Sequence, residues 1–211
     1  MKPMQVYNNE QNVLQAAQKR IEFVFDHFED IHISISGGKD STVLAHLALV
    51  EAQKRGRRVG VFFLDEEVVY QATIDQVTYI MEDMAPDNVI PLWLQIEFHL
   101  TNATSLTKTQ FIPWERGKGK LWMRSKKSYA IKYPPWNRET EKVRDKNKGL
   151  GFYDAFENFE RCYTNTALLI GLRGTESPNR WRTVSKHPIE IGGEKVYWAT
   201  AKGENTAVYP I

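Results

Sequence analysis

The sequence predicts an α/β fold, a parallel sheet with helices on both faces. Three observations predict it: short apolar runs alternate in period two, the segments between them repeat at helical spacing, and the two patterns take turns over the first hundred residues.

Val13, Ala17, Ile21, Val24 and Phe28 step by 4, 4, 3 and 4 residues, which predicts an amphipathic first helix with one buried face. Ile31, Ile33 and Ile35 alternate with His32, Ser34 and Ser36, as in a short strand. From Ser41 the spacing turns helical, with Val43, Leu44, Leu47 and Val50 on one side until Gly56 closes the segment. "VGVFFLD" at residues 59–65 is a second strand. A further helix carries Val69, Thr73, Val77, Ile80 and Met84 on its apolar face and ends before Pro86. "VIPLWL" is a third strand.

Residues 97–150 break this rhythm. They hold "IPWERGKGKLW" and "KYPPWNRETEKVRDKNKG", rich in Lys, Arg, Trp, Pro and Gly, and read as an inserted, loop-rich subdomain within a single domain spanning residues 1–211. After the insert, "FYDAFENFERCY" reads as a helix and "TALLIGLR" as a fourth apolar strand. "ESPNRW" is a turn opening a short helix, and "KVYWAT" and "AVYPI" are late strands.

Composition is that of a folded, water-soluble chain, 42% hydrophobic and 26% charged. No apolar run reaches the roughly 18 residues of a membrane span, and "MKPMQVYNNEQNV" lacks the apolar core of a signal peptide, so no membrane association and a cytoplasmic location are expected. The single cysteine, Cys162, excludes an internal disulfide framework, and an iron-sulfur cluster or four-cysteine zinc site built from this chain. It reads as a packed core residue. His27, His32, His46, His99 and His187 show no ligand spacing, so no zinc is assigned. Charge is segregated: residues 115–148 carry twelve Lys and Arg against four Asp and Glu, a net +8, while the rest of the chain sums to −6. Such asymmetry points to an anionic partner.

The chemistry concentrates in "SGGKDST", between the first strand and the helix after it. In an open parallel sheet, ligands bind beyond the carboxyl ends of the strands. Gly37 and Gly38 allow a sharp turn and close backbone approach, and the open amides of a helix's first turn suit phosphate. Ser36, Ser41 and Thr42 add hydroxyls, and Lys39 adds a full charge. Asp40 either orients the loop through backbone amides, helps hold a magnesium ion, or caps the helix. The common P-loop is excluded, because Gly38-Lys39 is followed by Asp40 and position 33 is Ile.

Ser-Gly-Gly-x-Asp-Ser instead resembles the PP-loop of the adenine nucleotide alpha hydrolase-like superfamily, which includes ATP pyrophosphatases, sulfate adenylyltransferase small subunits and phosphoadenylylsulfate (PAPS) reductases. That resemblance implies a Rossmann-like three-layer sandwich whose loop wraps the phosphates of ATP or a related adenylyl nucleotide. "IGLRGTESPNR", with Gly171, Arg173, Glu176, Ser177 and Arg180, resembles the motif of the PAPS-reductase branch, whose arginines face the anionic end of the nucleotide. The segments "LDEEVVYQATIDQV", "PLWLQIEFHLTNATS" and "WERGKGKLWMRSKK" look like the branch typified by the immunoglobulin-binding regulator A, found in bacterial and prophage genomes. There the end of the second strand, Leu64 and Asp65 here, lies near the nucleotide, so Asp65 either contacts the ribose or supports magnesium; the plainer reading is an acidic helix start.

The chain departs from a thiol reductase. The resemblance to a thiol reductase would call for a cysteine-bearing C-terminal tail, and relatives usually continue beyond a segment like "AVYPI"; the expectation is either a natural short form or a remainder that a separate partner supplies or that is lost. The expectation is therefore an adenine-nucleotide-binding protein, using ATP or PAPS, with magnesium if ATP, that forms or cleaves an adenylyl or pyrophosphate bond. Lys39, Asp40 and Arg173 are the catalytic candidates. The alternatives are a non-catalytic regulatory or nucleic-acid-binding protein of phage or prophage type, or a subunit active only with a partner; a homo-oligomer is left open. For these the insert is the partner surface, interleaving Trp114, Trp122, Tyr129, Tyr133 and Trp136 with Arg116, Lys118, Lys120, Arg124, Lys126 and Lys127. Such a mixture suits single-stranded nucleic acid, and equally a solvated loop whose rings pack a small core of their own.

Overall fold

The computed structural model describes residues 12–101, 110–173, 177–184 and 188–211. In chain order these form α1 (Val13–His27), β1 (Asp30–Ser34), α2 (Lys39–Lys54), β2 (Val59–Leu64), α3 (Gln71–Thr78), β3 (Val89–Leu94), β4 (Leu100–Thr101), β5 (Gln110–Phe111), α4 (Phe152–Glu160), β6 (Thr166–Ile170), α5 (Pro178–Val184), β7 (Ile189–Ile191), β8 (Glu194–Val196), β9 (Ala199–Lys202) and β10 (Asn205–Val208). Among the described residues no helix is long and apolar enough to cross a membrane.

Six strands share one sheet in the order β3-β2-β1-β6-β10-β9, parallel except for β9. The chain starts in the middle, winds outward through β2 and β3, then crosses back to lay β6 on the other side of β1. That reversal opens a crevice at the carboxyl ends of β1 and β6, the topological switch point of a doubly wound sheet. β4–β5 and β7–β8 are separate antiparallel pairs.

Alternation of side chains gives the sheet two cores. Ile31, Ile33, Val59, Val61 and Phe63 pack with α1, α2 and α3, whereas Phe62, Leu64, Leu92 and Leu94 pack with α4 and with Trp136 and Leu150. All six residues of β2 are buried, which is why it reads as an unbroken apolar run. His32 is accommodated across the β1–β2 pair because its partner is Gly60, where a Cβ would lie 2.4 Å from the imidazole.

Helix faces differ in part from the periodicity. α1 buries Ala17, Ile21, Val24 and Phe25, but Val13 is 78% exposed at the first turn, where Asn12 and Gln15 form a capping box. α2 buries Leu44, Ala45, Ala48, Leu49 and Ala52, while Val43 is 51% exposed. The alanines make a flat strip that lets the helix lie close on the sheet, and this outweighs Val43's own hydrophobicity. The helix expected from Val69 begins only at Gln71, and Tyr79–Asp83 widen into a π-turn that keeps Ile80 and Met81 both buried. Cys162, expected in the core, is exposed just beyond α4, with Sγ 3.5 Å from the Asn158 carbonyl.

The segment between β3 and α4 is stitched to the sheet through one buried carboxylate. Asp65 is fully buried and accepts from four N–H donors: Glu67 N and Arg124 Nη2 on Oδ1, Trp93 Nε1 and Gln95 Nε2 on Oδ2. Glu67 continues the seam, its carboxylate accepting from the backbone amides of Trp114 and Met123. Gln95 accepts from Lys127 N at 2.8 Å, and Ile131 adds a parallel bridge to Leu94.

Two stability predictions follow from these placements. Asp65→Asn sets an amide donor against one of the two pairs of N–H groups, whichever way it is turned, and leaves the partly buried Arg124 guanidinium without its counter-charge, so urea unfolding followed by tryptophan fluorescence is expected to show a loss of about 3 kcal/mol. Burial lowers the His32 pKa from 6.5 to about 4 in the folded chain. Between those values the unfolded chain takes up a proton that the folded chain refuses, so stability falls as pH drops through that window, by up to about 3 kcal/mol. In His32→Phe this part of the pH slope is expected to vanish in paired thermal melts between pH 7 and pH 4.

Candidate functional site

β1 ends at Ser34, and the amide of Ile35 still bonds across to Phe62 O at 2.9 Å before the chain turns. Gly37 makes the turn at φ +72°, a conformation that a side chain disfavours, and a Cβ there would meet Thr73 Cγ2 at 2.8 Å. Gly38 is the N-cap of α2 and has no side chain to cap it. The contrast with the fully boxed start of α1 is direct: α2 presents the open amides of its first turn at the sheet's switch point.

Hydroxyls hold the loop instead. The Ser36 amide donates to Ser41 Oγ at 3.2 Å, Ser41 Oγ donates to Gly38 O at 3.0 Å, and Thr42 Oγ1 donates to the same carbonyl at 2.9 Å. These bonds use the hydroxyls and carbonyls, and no side chain caps the first-turn amides of α2.

The second motif meets the first because β6 pairs with β1 in the register Ser34↔Ile170. Two residues past the end of each strand, Ser36 and Leu172 leave the sheet at one level. Gly171 makes this possible: a Cβ there would lie 3.0 Å from Ser41 N and 3.1 Å from Asp40 C, inside the first turn of α2. Arg173 then reaches the loop, its Nε 3.3 Å from Asp40 Oδ2, and Lys39 Nζ approaches the same oxygen at 3.3 Å. Asp40 therefore meets two cations, and neither caps the helix nor accepts the loop amides. The Lys39 side chain is 75% exposed.

A cleft of about 660 Å³ opens beside the loop. Ser34, Phe62 and Ile170 of the sheet line it together with Leu64, Val69 and Thr73, with Tyr153 and Phe156 of α4, and with Thr200, Lys202 and Tyr209 from the end of the chain. It is apolar and aromatic, with hydroxyls at the margins, one carboxylate in Glu66 and one ammonium in Lys202. Burial and the adjoining Asp65 raise the Glu66 pKa.

The three acidic residues after β2 thus part company. Leu64 and Glu66 line the cleft, whereas Asp65 and Glu67 turn to the insert. The expectation that Asp65 touches a ribose or a magnesium ion is corrected: its two oxygens are saturated by protein donors and it has no exposed surface. Nor is it a helix start, since α3 begins at Gln71. Among the described residues no group of three or more His, Cys, Asp or Glu is arranged to hold a metal ion.

Ser177 accepts from Arg180 N at 3.2 Å and so opens α5, on which Arg180 is exposed; neither lines the cleft. Glu176 and His187 lie outside the described residues. Cys162 is not among the cleft residues either, and its desolvation raises the thiol pKa.

Sequence reasoning missed Glu66, Thr73, Tyr153, Phe156, Lys202 and Tyr209 as cleft residues. Continuing the alternation past Leu64 would have found Glu66. Nothing local signals Lys202 and Tyr209, which arrive because the last strands add beside β6.

The uncharacterised protein YbdN of Escherichia coli (strain K12) is 26% identical over 212 residues, covering 95% of this chain and 48% of YbdN. The chain thus spans about half the length of that curated relative. No solved structure matches it. Residues 30–187, from β1 through both glycine-bearing motifs, match the phosphoadenosine phosphosulfate reductase domain, and the chain belongs to that family.

Proposed function

We propose that this protein binds an adenine nucleotide, ATP or PAPS, in the cleft at the β1–β6 switch point, and uses it to form or cleave an adenylyl or pyrophosphate bond. The observation that carries the reading is the uncapped start of α2 beside Arg173, the two held in register by Gly171. Open amides, a lysine and a guanidinium around one turn make a site for phosphate or sulfate oxygens. The neighbouring cleft has the wall chemistry for a purine and a sugar, with Tyr153 and Phe156 for the base and the Glu66 carboxylate for ribose hydroxyls.

The residues fit such a ligand, and each has a distinct task. The first-turn amides and Lys39 neutralise charge on the terminal phosphates, and Arg173 bears on the same anion from the other strand. Asp40 pairs with both cations and so sets where they point, acting as a positioning residue. The apolar walls exclude water from the reacting phosphorus. A bound nucleotide supplies an electrophilic phosphorus and a stable leaving group. If magnesium takes part, the phosphates themselves must provide most of its ligands, since Asp65 is already committed. Thiol chemistry is not assigned to Cys162, which carries a raised pKa outside the cleft.

Two measurements test this. In isothermal calorimetry with ATP and with PAPS, the Lys39→Ala, Arg173→Ala double variant is expected to lose at least about a hundredfold in affinity, from two charge-assisted contacts of about 1.5–3 kcal/mol each; affinity equal to wild type for both nucleotides would overturn the proposal. Gly171→Val drives a branched side chain into the backbone of α2, and overpacking of about 1–3 kcal/mol is expected to weaken binding at least fivefold although no ligand-contacting group is removed.

A further inference from the structure

A second concavity, of about 380 Å³, lies in the insert, on the far side of the Asp65 and Glu67 seam from the nucleotide cleft. Trp114, Trp122 and Tyr133 supply its rings, and Arg116, Lys126 and Lys132 its cations, against the single carboxylate of Glu97. Trp114 is fully buried and forms a rigid base, with Trp122 edge-on to it at 5.6 Å. Lys126 is pinned between the two indoles, 4.7 Å over Trp122, with Nζ donating to Gln95 O at 2.7 Å.

Two features separate this from an ordinary solvated loop. The rings are divided in their work: Trp114 and Trp136 pack inward, while Tyr133 is 70% exposed at the rim with the Arg116 guanidinium 5.7 Å from its ring. The cations are also divided. Lys118 pairs with Glu115 and Arg116 with Glu97, but among the described residues no carboxylate lies within ion-pair distance of Lys132. The rim at Gly117, in the left-handed region at φ +78°, has open space where a side chain would stand, so backbone there is accessible to a strand.

We infer that this concavity binds single-stranded nucleic acid, one base stacking on the exposed Tyr133 ring at its rim while flanking phosphates meet Arg116 and Lys132. A single strand fits better than an acidic peptide because the site alternates flat rings with cations inside a volume suited to a small ligand. It fits better than a duplex because stacking needs an unpaired base face. Carboxylates outside the insert pair with Arg124, Lys127, Lys142 and Arg144, so the attraction is local: Arg116, Lys126 and Lys132 against Glu97 leave the lining net cationic.

The test uses the whole chain with a fluorescein-labelled 12-nucleotide single strand of mixed sequence, in DNA and RNA forms, read by anisotropy at several salt concentrations. Wild type is expected to bind the single strand more tightly than the matching duplex. Tyr133→Leu is expected to weaken binding at least fivefold, and Lys132→Glu to weaken it and flatten the log-affinity against log-salt slope by about 0.7 or more. Both side chains are exposed, so either variant alone suffices should the other misfold. Lys146→Ala, a basic change outside the concavity, is expected to have less effect than either. The inference is overturned if duplex and single strand bind equally, if Tyr133→Leu binds like wild type, if Lys146→Ala matches Lys132→Glu, or if polyglutamate competes as well as unlabelled oligonucleotide.

Discussion

A single buried carboxylate organises this molecule. Asp65 stands just past the carboxyl end of β2 with no exposed surface, and a charge in that position survives only if its lone pairs are met. Four donors meet them, from the next turn, from β3 and from the insert. Arg124 is recruited from 59 residues away, and by bringing its own positive charge it makes the burial electrostatically tolerable. Because the insert has so little regular structure, this charge pair and the adjoining Glu67 bonds do for it what a sheet ladder does for the rest. Glu67 and Trp114 both adopt positive φ, 64° and 56°, at the point where they bond to each other. Such backbone persists only where surrounding contacts over-determine it.

The same seam separates two chemistries. Successive residues of the β2 terminus point alternately to the cleft and to the insert, so the wall of one is the foundation of the other. This economy has a structural consequence: a shift of the β2 terminus would move both Glu66 in the cleft and the anchor of Trp114. The Lys127 and Tyr129 bonds to Glu82, in the π-turn after α3, brace the insert at a second place. Burial and the Glu82 carboxylate push the Tyr129 pKa up, so its hydroxyl remains a donor across the physiological range.

The treatment of the two helix starts is equally telling. α1 satisfies its first turn with a reciprocal box of side chains, while α2 opens on Gly38 and spends its serine and threonine hydroxyls on holding the loop's shape. α3 also starts without a side-chain cap, at Tyr70, so what sets α2 apart is its place: its first turn lies at the carboxyl end of β1, with Lys39 and Arg173 beside it. Gly171 reinforces the point, since its missing side chain serves only to let β6 pass against that turn.

What the sequence by itself determined were the properties set by neighbours along the chain. Period-two and helical spacing marked β1, β2, β3, β6 and the helices between them, and "SGGKDST" and "GLRGTESPNR" were legible because a glycine turn at a strand end is a local signal. The tertiary structure alone decided which residues share a site. Ser36 and Leu172 come together through the β1–β6 register, Lys202 and Tyr209 enter the cleft through strands added last, and Asp65 becomes an anchor because Arg124 reaches it from the insert. The two readings diverge for a physical reason. Backbone preference and hydrophobic period act over a few residues, whereas the fate of a carboxylate or a thiol depends on the groups that long-range packing brings within about 3 Å of it; hence Asp65 moved from ligand contact to buried anchor, and Cys162 from core to surface.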